Sequence, residues 1–146
     1  VAYRVNTPKQ DGDFCEEWVI QVCEWLGYSV RDDRALKLSH DLVINSARTQ
    51  VKGRRNNLDS EHSVRGSFYL KVHLQAHETA YLEGSVDVFV ICHYRKWYIV
   101  PSHAMPKTED GFRNGVSISE IAEWRNRWDV LDGERVSYSE QKCFDF

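Results

Sequence analysis

The run Val86-Asp87-Val88-Phe89-Val90-Ile91-Cys92 constrains the fold more than any other stretch, because six of its seven residues are apolar. A strand with one wet face alternates polar and apolar side chains, whereas a near-continuous apolar run predicts a strand covered on both faces. His93 to Lys96 reads as a turn. Trp97 to Val100 then returns as a neighbouring strand, which Pro101 ends because it cannot donate to a ladder.

Cover for such a strand is present on both sides of it in the sequence. Cys15, Val19, Val22 and Leu26 recur at helical spacing and predict a buried stripe, with Gly27 as a C-terminal stop. Two starts are open for this helix. Thr7-Pro8-Lys9-Gln10 offers a Thr cap and a proline at the first helical position, and Asp13 with Glu16 offers a capping box beyond Gly12. Further on, residues 67–74 alternate as a strand, residues 76–82 read as short helix or irregular chain, and Ser117 with Glu120 opens another helix. That helix carries Ile118, Ile121, Trp124 or Arg125, Trp128 and Leu131 along one stripe and is expected to stop at Gly133. No repeat or linker divides the 146 residues, so the expectation is one α/β or α+β domain around a mixed sheet.

Composition excludes some functions. A formal net charge of −3 argues against an unselective nucleic-acid binder with a broad basic surface, although the segment from Arg48 to Arg55 holds no acid. No apolar run nears the ~20 residues that span a bilayer, so no membrane association is expected. Cys15, Cys23, Cys92 and Cys143 form no CxxC pair, and the first three sit in apolar segments. Free buried thiols in a reducing, cytoplasmic setting are the expectation.

Chemistry concentrates in residues 40–55, HDLVINSARTQVKGRR. Asn45-Ser46 supplies turn chemistry between two short strands. Gln50 and Lys52 share a face of the second strand, because side chains two apart do. Asp41 then lies across the hairpin from them. A carboxylate and an amide oxygen suit a hard metal ion, and an ammonium beside them suits a phosphate, which together point to phosphodiester hydrolysis. The plainer alternatives are a strand-cap role for Asp41 and an edge-blunting role for Lys52. Glu16 either closes the Asp13 capping box or, if the helix starts at Thr7, is free to face the hairpin; Glu17 is the adjacent fallback. His73 and His77 lack a third ligand in register, so surface histidines are the expectation. Asp87 reads as an acid holding a loop, and Trp18, Trp97 and Trp128 as core.

Taken together, the early helix, the DLVI…QVK segment and residues 84–101 (GSVDVFVICHYRKWYIVP) resemble the PD-(D/E)XK nuclease superfamily. Within it, the closest resemblance is to the group I intron-associated PD-(D/E)XK endonucleases, where Gln often stands for the acid of the (D/E)xK element. The resemblance covers roughly residues 8–105, with 106–146 as a C-terminal helical extension. It implies a single-domain restriction-endonuclease-like fold with an αβββαβ core that hydrolyses DNA phosphodiesters. It also implies Mg²⁺, with Mn²⁺ as a substitute, held by Asp41, Gln50 and Glu16, and Lys52 as the catalytic cation. His40 stands where the family has proline. Arg54, Arg55 and Arg65 are the expected DNA contacts, in a homo-oligomer (dimer or tetramer) associated with the cytoplasmic nucleoid. The rival is a catalytically inactive nucleic-acid-binding or assembly module that kept the fold.

Overall fold

The computed structural model describes residues 8–54, 67–69, 71–74, 77–80, 84–93, 96–108, 111–112 and 115–135. Helix α1 spans Pro8–Trp25, so the earlier of the two starts is used and Gly12 is carried inside the helix. Cys15, Val19, Val22 and Cys23 form its buried stripe. Gly27, at φ +81°, ends it. Its N–H bonds to the Glu24 carbonyl at 3.0 Å and that of Tyr28 bonds to Cys23 at 2.8 Å, the paired bonds of a Schellman stop that only a left-handed residue permits.

The chain then forms β1 (Val30–Asp32), β2 (Leu42–Ile44) and β3 (Ala47–Arg54). Three short strands follow, β4 (Ser67–Tyr69), β5 (Lys71–Leu74) and β6 (His77–Ala80). Beyond them come β7 (Val88–His93), β8 (Lys96–Pro101), β9 (Lys107–Thr108), β10 (Gly111–Phe112) and β11 (Gly115–Ser117). The main sheet has five strands in the order β1-β2-β3-β7-β8. Strands β3 and β7 run parallel while the other neighbours are antiparallel, so the sheet is mixed.

The apolar run in β7 has the predicted cause. Val88, Val90 and Cys92 pack with Val51, Ile99 and the α1 stripe on one face. Phe89 and Ile91 pack with Tyr98, Val100, Met105, Val116 and Ile121 on the other. Removing a fully buried Ile91 or Ile99 side chain to Ala would cost about 2–5 kcal/mol. The hairpin turn is also as expected. Asn45 and Ser46 both take positive φ (46° and 71°), the primed-turn geometry whose twist matches two antiparallel strands. Asn45 further accepts from Ser29 N–H through Oδ1 and donates from Nδ2 to the Leu131 carbonyl, each at 2.9 Å.

Four expectations are corrected. Residues 67–74 are not one strand, because β4 pairs with β11 while β5 pairs with β6. Residues 77–80, expected as helix or irregular chain, are the β6 strand. Consequently the described residues of the connection between β3 and β7 form three strands and a turn and include no helix, where an αβββαβ order would place one. The C-terminal helix is replaced by two 3-10 segments, Ile118–Trp124 and Trp128–Arg135, and Gly133 lies inside the second. The Ser117–Glu120 capping box does form, with the Ser117 N–H donated to Glu120 at 3.0 Å. The break between the segments has a tertiary cause: Arg125 makes a β-bridge to Tyr98, and Asn126, at φ +55°, donates its N–H to the Trp97 carbonyl.

Candidate active site

Register brings Asp41 and Gln50 together. Leu42 pairs with Thr49, and Asp41, one residue earlier, donates its N–H to the Thr49 carbonyl at 2.9 Å. The Asp41 carboxylate then accepts the Val51 N–H through Oδ2 at 3.0 Å. That bond fixes its orientation against the start of the Gln50-Val51-Lys52 segment. Gln50 is buried, and its Nε2 donates to the Val51 carbonyl at 3.3 Å. Of the two ends of its amide, Oε1 is the one whose chemistry suits a cation. Gln50 and Lys52 pair with Phe89 and Ile91, and so share a face of the sheet.

Glu16 arrives from α1. Because the helix begins at Pro8, this residue is mid-helix and its carboxylate is not committed to a cap. It is driven up to about 7, first by burial and next by the neighbouring Asp41 charge, with Arg34 opposing. Asp41 is also raised, by burial, against the Val51 N–H and the charges of Lys52, Arg34 and His40. Burial lowers Lys52, and the charges of Asp41 and Glu16 pull it back up. Each of these three groups therefore feels the others: two desolvated carboxylates and one desolvated ammonium occupy one locality, with Gln50 across from Asp41.

Several partners escaped sequence reasoning. Arg34 reaches across from the segment after β1 to bond Glu16 at 3.2 Å and Glu17 at 2.7 Å, and it grips Asp32 through both Nε and Nη2. Glu17 thus belongs to an exposed ion pair beside the site. Asp33 and His40 are both buried and meet at 2.9 Å. Asp33 is held down to about 2, chiefly by the Arg31 fork and then by His40. Where the resembled family has proline, His40 is thus tied to the chain ahead of β2. The only hint in the sequence was the density of charge in residues 31–34.

Asp87 is a structural acid, as expected. It accepts the Arg48 backbone N–H at 2.8 Å and both arms of its guanidinium at 3.1 Å, pinning the start of β3 to the start of β7. Trp97 and Trp128 are buried and pack ring to ring at 5.7 Å. Cys15, Cys23 and Cys92 are free and buried. His73 and His77 lie on β5 and β6, opposite Glu78 and Leu74. Arg54 ends β3, whereas Arg55, Arg65 and Cys143 fall outside the described residues.

Among the described residues no group of three or more His, Cys, Asp or Glu side chains is arranged to hold a metal ion. The candidate set is instead two carboxylates and one amide oxygen. An all-oxygen set of low charge suits a hard cation that keeps several of its own waters, and it does not suit zinc. The unfavourable desolvation of both Glu16 and Asp41 is what such a cation would relieve.

No family model matches the chain, and no curated protein matches it. Among solved structures it is similar to a bacterial homing endonuclease, I-Ssp6803I, with a TM-score of 0.60 and 15% identity, over 90% of this chain and 100% of that one. Identity at that level carries the architecture and not the chemistry: the chain has a mixed sheet flanked by helices that resembles the restriction-endonuclease-like fold.

Proposed function

We propose that this protein is a Mg²⁺-dependent DNA endonuclease of the PD-(D/E)XK type, in its Gln-containing form, with Glu16, Asp41, Gln50 and Lys52 as the site. The observation that carries this reading is the mutual electrostatic influence of Glu16, Asp41 and Lys52 beside the buried Gln50. Asp41, Glu16 and Gln50 Oε1 would hold the cation, with Mn²⁺ as an alternative ion. When bound, the cation supplies Lewis-acid polarisation of the phosphoryl oxygen and a water of lowered pKa.

The chain's own residues do the rest. Asp41 is pre-aimed by the Val51 N–H, so its ligating oxygen needs no reordering. Glu16 contributes its charge once ionised. Lys52 sits where burial weakens its hydration, so its positive charge acts strongly on a phosphoryl oxygen brought to the site. Arg54, Arg55 and Arg65 are proposed as phosphate contacts. Duplex cleavage needs two such sites, so a homo-oligomer, dimer or tetramer, is part of the proposal, as is action on DNA in the cytoplasm. No described helix is long and apolar enough to cross a membrane.

A second reading has an observation in its favour. Gln50 removes a charge from the usual set and Arg34 occupies Glu16, as in a DNA-binding module without catalysis. Plasmid nicking separates the two. The nuclease reading expects Mg²⁺-dependent nicking that is abolished in Asp41→Asn and Lys52→Ala. Asparagine is preferred to alanine at 41 because it keeps an acceptor for the Val51 N–H. Metal-independent, salt-sensitive retardation of DNA without nicking would favour the binding module.

A further inference from the structure

Arg34 stands at the candidate site without a role in the reading above. Four side-chain bonds hold its guanidinium. Nε bonds Asp32 at 2.9 Å and Nη2 bonds Asp32 at 2.6 Å and Glu17 at 2.7 Å. Nη1, which takes no part in the Asp32 fork, carries the bond to Glu16 at 3.2 Å, the longest of the four. Asp32 also accepts the Arg34 backbone N–H at 3.0 Å. The guanidinium is therefore anchored by its own segment, and Glu16 is the partner it can lose while staying in place.

We propose that Arg34 is a positioning residue for the candidate metal site, holding the Glu16 carboxylate until a divalent cation displaces it, while Asp32 and Glu17 retain the guanidinium. The inference rests on the nuclease reading and deepens it by naming the group that the cation must displace. Three features support it. The two glutamates are adjacent on α1, so the guanidinium can keep Glu17 when Glu16 turns away. Glu16 and Arg34 are half-buried, with side-chain exposures of 18% and 26%, so their pair is only partly screened by water. The charge of Arg34 is also felt by Asp41, so it opposes a cation at both carboxylates.

Calorimetric titration with Ca²⁺, a hard oxygen-seeking cation, tests this in the metal-free protein. Arg34→Gln is expected to bind Ca²⁺ about tenfold more tightly, the order of effect for releasing one charge-assisted bond in a half-exposed setting. In the Glu16→Gln background the same substitution should strengthen binding clearly less, by about threefold or below, because only the through-space influence of Arg34 on Asp41 remains. Unchanged or weaker binding in Arg34→Gln, or a full effect that persists without Glu16, overturns the proposal. Should Arg34→Gln not fold, Arg34→Lys decides, since an ammonium keeps the charge but cannot make the fork; tighter binding is expected and unchanged or weaker binding refutes. A wild-type protein that binds no Ca²⁺ overturns the metal-site reading itself, whereas normal binding with no Arg34 effect removes only this inference.

Discussion

Glu16→Gln should stabilise the metal-free protein, and only at the alkaline end. Glu16 is raised from 4.5 to about 7 by burial and the nearby Asp41. Between those values the folded state keeps a proton that the unfolded chain has released. Folding then takes up a proton, so stability falls as pH rises through that window and levels off above it. At about 1.4 kcal/mol per pH unit the full penalty is about 3 kcal/mol. The side chain is 18% exposed, so solvent screening removes little of this. Glutamine cannot ionise and escapes the penalty. Urea denaturation in the presence of a chelator should show near-equal stability of variant and wild type at pH 4.5. At pH 8 the variant should lead by about 3 kcal/mol, or about 6–12 °C in a thermal melt of a chain this long. Asp41→Asn removes the second contribution to the shift and should shrink the pH dependence of the wild type. A difference between Glu16→Gln and wild type that is the same at both pH values refutes the reasoning.

Gly53→Ala should destabilise by about 1–3 kcal/mol, because an added Cβ would meet the Cys92 carbonyl oxygen at 2.5 Å across the parallel pair; an unchanged urea midpoint would show that β3 and β7 can part. Asp87→Asn should lose about 1 kcal/mol at neutral pH, a modest figure because both partners of the Arg48 clamp are more than a third exposed. Arg48 lowers Asp87, so this contribution is present above the ordinary carboxylate range and fades as pH falls through the folded value. The wild-type advantage should therefore vanish in acid titration, and an advantage that persists in acid counts against the clamp. Alkylation followed by mass spectrometry should find Cys15, Cys23 and Cys92 unmodified in the native protein and modified in urea, since all three are buried and burial pushes Cys23 up to about 12; native labelling at any of them would contradict the packing.

Legibility from sequence followed the range of the interaction. The α1 stripe, its Gly27 stop, the Asn45-Ser46 turn and the two-faced β7 strand are set by residues within a few positions of each other, and each was readable. The juxtaposition of Asp41 with Gln50 was readable too, because a tight hairpin leaves one register. Arg34 was not, since its bond to Glu16 spans 18 residues and depends on how β1 returns along α1. The C-terminal stripe of Ile118, Ile121 and Trp124 fits a spacing of three as well as 3.6, so the pattern alone does not separate a 3-10 segment from an α-helix. What decided was the bridge from Arg125 to Tyr98, which interrupts the helical path. In residues 67–74 alternation correctly signalled strand, whereas residues 77–80 carry no such signal and take their strand form from pairing with β5; the change of partner between β4 and β5 depends on β11, far along the chain.

The Arg48–Asp87 clamp joins positions 39 apart, and the parallel register that follows it locks the strand bearing Gln50 and Lys52 to the centre of the sheet. Closing a chain segment grows costlier only with the logarithm of its length, about 0.6 kcal/mol for each doubling. With its ends stitched this way, the connection between β3 and β7 can change length at small closure cost without moving the residues on β3. Evolution, or an engineer, can therefore vary the length of that connection while Gln50 and Lys52 keep their places in the sheet.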